Sequence, residues 1–114
     1  MALKMTDREV EGITVVSMDG RIVLGEESNA LRERVRGMLG AQKTKIILDM
    51  GNVTYIDSAG LGTLVATYHS ARQQGATMKL VNLGQKFKEV LQDTKLLTVF
   101  EVHDTEAAAV SSFK

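Results

Sequence analysis

The residues best placed to do chemistry lie in Tyr55-Ile56-Asp57-Ser58-Ala59-Gly60-Leu61-Gly62-Thr63-Leu64, where an apolar strand gives way to a helix at a serine. That position makes Ser58 the expected helix N-cap, its hydroxyl oxygen accepting from one of the first unpaired backbone N–H groups. The same N–H groups and the helix dipole favour an anion, so a phosphate on Ser58 is compatible with the fold. Asp57 is already anionic, and a phosphoryl group beside it would add about two more negative charges. A protein docking on this surface would meet a large change in charge. Asp57 can also satisfy backbone donors at the helix start, and the two roles are compatible.

Gly60 and Gly62 fall in the first turns of the same helix, where each costs about 1 kcal/mol relative to alanine. Bare backbone there permits close approach of a partner, with Leu61 or Thr63 supplying contact. The other reading of the two glycines is close packing of the helix on a strand. The candidate partner-binding set is therefore Asp57, Ser58, Ala59, Gly60, Leu61, Gly62 and Thr63.

An enzyme needs a nucleophile with a base, and Ser58 does not sit in a Gly-x-Ser-x-Gly elbow. Gly60-Leu61-Gly62 lacks the third glycine of a dinucleotide fingerprint, and no Gly-Lys-Ser/Thr sequence offers an ATP phosphate loop. His69 and His103 have no cysteine or second histidine near them in sequence, so they read as surface or packing residues rather than metal ligands or bases. No enzyme activity and no cofactor are expected from these residues.

The elements that must position Ser58 belong to a chain of 114 residues with 44% apolar content, which fits one domain across residues 1–114 with a single core. Fourteen basic and fourteen acidic side chains cancel, so no overall field favours nucleic acid or anionic lipid. No apolar run approaches the roughly 18 residues needed to cross a bilayer, and the N-terminus lacks a signal-peptide pattern, so a cytoplasmic location is expected. The absence of cysteine excludes disulfides and thiolate chemistry.

Along the chain, Leu3 to Val10 alternates weakly and carries charges, as an edge strand does. Ile13 to Met18 is a β-branched run closing at Asp19-Gly20, with Arg21 to Leu24 following directly, which reads as an antiparallel hairpin. Ala30, Leu31, Val35, Met38 and Leu39 mark a helix between Glu26 and Gly40. Lys45 to Met50 suits a central strand buried on both faces, and Val53 to Ile56 leads from it to the serine. Leu61, Leu64, Val65, Tyr68 and Ala71 form the next helical stripe, ended by Gly75. Met78 to Leu83 is a strand, Phe87, Val90 and Leu91 mark a short helix, and Val99 to Val102 a last strand. Thr105 caps a terminal helix through Phe113. Met18, Met38, Met50 and Met78 read as core filler. The order implies an α/β fold: a mixed, partly parallel sheet with about four helices.

Asp57-Ser58-Ala59-Gly60-Leu61-Gly62, after an apolar strand in a chain of this length and element order, resembles the STAS domains of bacterial anti-sigma factor antagonists. The Ile46-Ile47-Leu48-Asp49-Met50 and Met78-Lys79-Leu80-Val81-Asn82 strands match that family in type and spacing. The resemblance implies that Ser58, directly after the aspartate, is phosphorylated by a partner that is both anti-sigma factor and serine kinase of the GHKL type. It further implies partner switching: the unmodified domain binds the kinase and displaces a sigma factor, phosphorylation ends that binding, and a PP2C-type phosphatase resets the cycle. No contact residue carries over between Arg21 and Asn29, where the match is weakest. STAS domains also occur as cytoplasmic subunits of lipid-transport ABC systems and as signalling scaffolds. The lone domain and the intact Asp57-Ser58 pair favour the switch.

Overall fold

The computed structural model describes residues 3–114. Its elements run β1 (Leu3–Val10), β2 (Ile13–Ile22), α1 (Glu26–Gly40), β3 (Lys45–Ile56), α2 (Ser58–Gln73), β4 (Thr77–Val81), α3 (Gln85–Asp93), β5 (Val102–His103) and α4 (Glu106–Ser112). The five strands form one sheet in the order β1-β2-β3-β4-β5. Only β1 and β2 are antiparallel; β2, β3, β4 and β5 pair in parallel. This is the mixed α/β sheet with four helices expected from the order of elements.

β1 lies at the sheet edge, and its charged residues protect that edge from pairing with another chain. The hairpin turn, however, is at Glu11-Gly12 and not at Asp19-Gly20. Val10 pairs with Ile13, and the two residues between them have φ of 52° and 81°, the positive pair that a two-residue type I′ turn requires. Asp19 and Gly20 lie inside β2, where the pairing with β3 shifts register on either side of them. Gly20 marks a bulge there. Beyond it the two strands stay paired, Arg21 with Tyr55 and Ile22 with Ile56, so β3 runs unbroken through Gly51 and Asn52. β2 and β3 therefore reach Ser58 together.

β3 is central and carries Ile46, Ile47 and Leu48 in immediate succession, all fully buried, because both sheet faces are covered. Leu31, Val35 and Met38 of α1, Leu64 and Tyr68 of α2, and Phe87 and Leu91 of α3 pack into one large cluster with Val16, Met18, Met50 and Met78. On the other face Ala109 and Val110 of α4 cover Ile13, Val15, Ile47 and Val81. The four methionines expected to fill the core are all buried.

α2 ends as Gly75 predicts. Gly75 has φ 84°, its N–H reaches the Arg72 carbonyl and the Ala76 N–H reaches the Ala71 carbonyl, the paired bonds of a Schellman motif. Thr105 caps α4, its hydroxyl oxygen accepting from the Ala108 N–H at 3.1 Å. The last strand is shorter and later than Val99–Val102. The Phe100 ring packs edge-on against Tyr68 at 4.9 Å, and the Tyr68 hydroxyl accepts from the Glu101 N–H at 2.9 Å, so α2 holds this segment before β5 begins.

Candidate functional site

The loop from β3 into α2 is organised by Asp57. Its backbone is extended (φ −98°, ψ 179°), and one carboxylate oxygen, Oδ1, accepts from the Gly60 N–H at 2.7 Å. Asp57 is thus the N-cap, and Ser58 is the first helical residue rather than the cap itself. The second oxygen, Oδ2, accepts from the Leu24 N–H at 3.1 Å, across from the β2–α1 loop. The Asp57 N–H in turn donates to the Ile22 carbonyl at 3.3 Å. These donors, Gly60 first and Leu24 second, hold the Asp57 carboxyl below its ordinary range, so it stays ionised. One side chain therefore binds the helix start to the neighbouring loop.

Ser58 is exposed, and the capping role of Asp57 leaves its hydroxyl uncommitted to the cap. Ala59 is half-buried. Gly60 and Gly62, alike in sequence, differ in surroundings. A Cβ on Gly60 would stand 1.9 Å from the Ile22 carbonyl oxygen, whereas one on Gly62 meets nothing within 4 Å. Gly60 is therefore a packing glycine that lets α2 touch the end of β2. Gly62 is exposed and offers bare helix to solvent.

Leu61 and Thr63 were expected to supply contacts, but they are only 7% and 5% exposed. Leu61 belongs to the core. The Thr63 hydroxyl donates to the Ala59 carbonyl at 3.1 Å and accepts from Arg32 Nη2 at 3.3 Å. The same guanidinium donates through Nη1 to the Asn29 side chain at 2.8 Å, joining α1 to the second turn of α2. Both side chains shape the helix and do not face outward.

Two exposed residues near Ser58 lie outside the partner-binding set expected from the sequence. Leu24 is 75% and Tyr55 57% exposed, large apolar side chains of which one belongs to the loop bonded to Asp57 and the other stands two residues before it. Tyr55 also lines a groove of about 240 Å³ with Ile56, Lys86, Phe87 and Val90. Leu24 sits in a loop fixed at both ends: Gly25 has φ 103°, and the Ser28 hydroxyl and N–H both donate to the Val23 carbonyl.

The two histidines stand apart from this site. His69 is exposed on α2, and His103 Nε2 lies 2.9 Å from Glu101 Oε2. Glu101 also pairs at 2.9 Å with the buried Lys79, whose ammonium sits 4.0 Å from the centre of the Phe113 ring. Among the described residues no cluster of histidine and carboxylate side chains could hold a metal ion. No helix there is long and apolar enough to cross a membrane.

The geometry thus presents an exposed hydroxyl on a helix start, beside a fixed carboxylate and two exposed apolar side chains. That arrangement suits an acceptor of a phosphoryl group within a protein-docking surface.

Known proteins share this architecture. The chain is 25% identical over 112 residues to BtrV of Bordetella bronchiseptica, whose name marks it as a candidate anti-sigma factor antagonist, covering 98% of this chain and 96% of that one. A Thermotoga maritima crystal structure described in the same terms superposes with a TM-score of 0.86 at 24% identity, covering 95% of this chain and 92% of that one. The unphosphorylated form of the anti-sigma factor antagonist SpoIIAA superposes at 0.73 with 17% identity, over 96% of this chain and 97% of that one. Its phosphorylated form, from Bacillus, superposes at 0.72 with 16% identity, over 97% of this chain and the whole of that one. The STAS domain profile matches residues 4–109, a span that contains every strand but the first residue of β1, and the whole Asp57–Gly62 junction: the chain belongs to the STAS domain family.

Proposed function

We propose that this chain is an anti-sigma factor antagonist that binds a serine-kinase anti-sigma factor while Ser58 is unmodified and releases it once Ser58 is phosphorylated. Binding of that kinase, of the GHKL type, frees a sigma factor, and a PP2C-type phosphatase restores the active form. The observation that carries the proposal is Ser58 itself: exposed, first in α2, and relieved of the capping role by Asp57. The names of the relatives, BtrV and SpoIIAA, support the same reading.

The switch follows from local physics. A phosphate on Ser58 would lie beside the ionised Asp57 carboxylate, whose oxygens already hold the Gly60 and Leu24 N–H groups. Those two donors are then unavailable to neutralise it. Enclosing it under a partner would strip its water without that compensation. A loss of ~3 kcal/mol weakens association about a hundredfold, enough to exchange partners without refolding.

The test is recovery of partners from native cells on Ser58→Ala and Ser58→Asp baits. A GHKL-type ATP-binding protein retained by the alanine form and largely lost by the aspartate form is expected. Equal retention by both forms would contradict the charge switch.

A further inference from the structure

We propose that Leu24 and Tyr55 are the apolar anchors of the phosphorylating protein's docking site, seating in an apolar socket on that partner's surface. The inference rests on the phospho-switch reading and extends its interface beyond α2, into a loop where no sequence resemblance assigned a contact.

Three large apolar side chains are exposed among the described residues: Leu24 at 75%, Tyr55 at 57% and Val99 at 42%. Single exposed apolar residues are ordinary on protein surfaces, but two of these three converge on one junction. The Leu24 N–H is bonded to Asp57 Oδ2, and Tyr55 stands two residues before Asp57 in β3, paired with Arg21. Val99 lies in the stretch between α3 and β5 and serves as a comparison.

The two anchors are also held rigidly relative to Ser58. Asp57 ties Leu24 to the helix start, the Asp57 N–H is bonded to the Ile22 carbonyl, and Gly60 allows that carbonyl to sit against α2. A surface fixed in this way loses little freedom on docking. Tyrosine is enriched among residues that dominate binding energy, because its large flat ring buries much area with few rotatable bonds.

The attachment of Leu24 to Asp57 and the place of Tyr55 three residues before Ser58 select the occupant. Burying Leu24 and Tyr55 in an apolar socket closes the same surface over the serine and excludes water from it. A phosphate placed there, beside an ionised carboxylate, forces the socket open. An occupant that arrives to phosphorylate and must then leave fits this surface. A permanently bound second copy of the chain would instead keep Ser58 covered.

The experiment replaces the chain in its native cells by the Leu24→Ser, Tyr55→Ser variant, with Val99→Ser as the exposed apolar control. Ser58 phosphorylation is quantified by intact mass, and each purified protein is melted to confirm folding. Phosphate occupancy should fall by about tenfold or more in the double variant and stay at the wild-type level in the control, with melting unchanged in both. Should the double variant melt early, Leu24→Thr and Tyr55→Thr replace it singly, each expected to lower occupancy. Wild-type occupancy in a folded double variant would overturn the anchor assignment alone. So would a wild-type dimer that the double variant dissolves while its phosphorylation persists, since the patch would then serve a second copy. Complete absence of phosphate on the wild-type protein would overturn the switch reading and this inference with it.

Discussion

Gly60→Ala and Gly62→Ala should change stability in opposite directions, although the residues are two positions apart in one helix. At Gly60 the contact between the new Cβ and the Ile22 carbonyl oxygen must open from 1.9 Å to at least 3.0 Å, and the obstacle is backbone, which cannot rotate away. The start of α2 must therefore move off the end of β2. That displacement stretches the Asp57 N–H to Ile22 bond, already 3.3 Å, and the 3.1 Å bond from the Leu24 N–H to Asp57. Overpacking strain of about 1–3 kcal/mol, with about 1 kcal/mol for each weakened hydrogen bond and less the ~1 kcal/mol of helix propensity that alanine gains, gives a loss of roughly 2–4 kcal/mol. That is a large part of the ~5–15 kcal/mol that stabilises a typical domain. At Gly62 a Cβ enters open space, and alanine gains about 1 kcal/mol of helix propensity. At about 4 °C per kcal/mol for a chain of this size, Tm should fall by ~8–16 °C in the first variant and rise by up to ~4 °C in the second. Thermal melts followed by circular dichroism, with urea titrations to check the slope, measure both. A Gly60→Ala protein within ~1 kcal/mol of wild type would refute the packing argument, as would a destabilised Gly62→Ala.

Gly62→Arg should lower Ser58 phosphorylation in native cells while leaving Tm nearly unchanged, because it places bulk on exposed helix without touching the core; unchanged phosphorylation would remove Gly62 from the interface. Asp57 contributes stability as a carboxylate, since its native pKa lies below the ordinary 3.8. Its contribution is full above that value and lost as pH falls through the lower native pKa, so the urea-midpoint advantage of wild type over Asp57→Asn should shrink on acidification. A constant difference between pH 7 and pH 2 would count against this linkage. Lys79→Met should be tolerated within ~1 kcal/mol, because a buried ion pair rarely outweighs a well-packed apolar replacement. Glu101→Leu leaves the buried Lys79 ammonium with the Ser112 hydroxyl and the Phe113 ring but no carboxylate, and should cost on the order of 2 kcal/mol, less than for a fully buried pair because the Glu101 side chain is 42% exposed. Urea titrations of the two variants should show that asymmetry, and its reversal would contradict it.

Long periodic segments were the most legible part of the fold. The apolar spacing across Glu26–Gly40 predicts α1, which keeps those bounds, and the Ile46-Ile47-Leu48 run reads as the buried central strand that it is. The hairpin was misplaced because Glu11-Gly12 and Asp19-Gly20 are both turn-compatible dipeptides, and only the strand register decides between them. The cap was shifted by one residue for a related reason. Aspartate and serine are comparable N-caps, and the choice is made by the distant Ile22 carbonyl and Leu24 N–H, which adjacent sequence does not reveal. Leu61 lay in the helical stripe assigned to the core and also in the proposed contact set; its burial resolves that conflict. Gly60 and Gly62 were indistinguishable until the carbonyl beside one of them was located. Leu24 and Tyr55 carry no local mark of exposure, since each continues an apolar strand segment and becomes a surface residue only where the paired strands end.

The most direct measurement is the intact mass of the protein isolated from its native cells, with and without phosphatase treatment, beside the Ser58→Ala variant. A phosphatase-sensitive phosphoryl adduct on the wild-type chain that is missing from the variant is the predicted result. An unmodified chain under both growth and stress, or an adduct that persists in Ser58→Ala, would contradict the account.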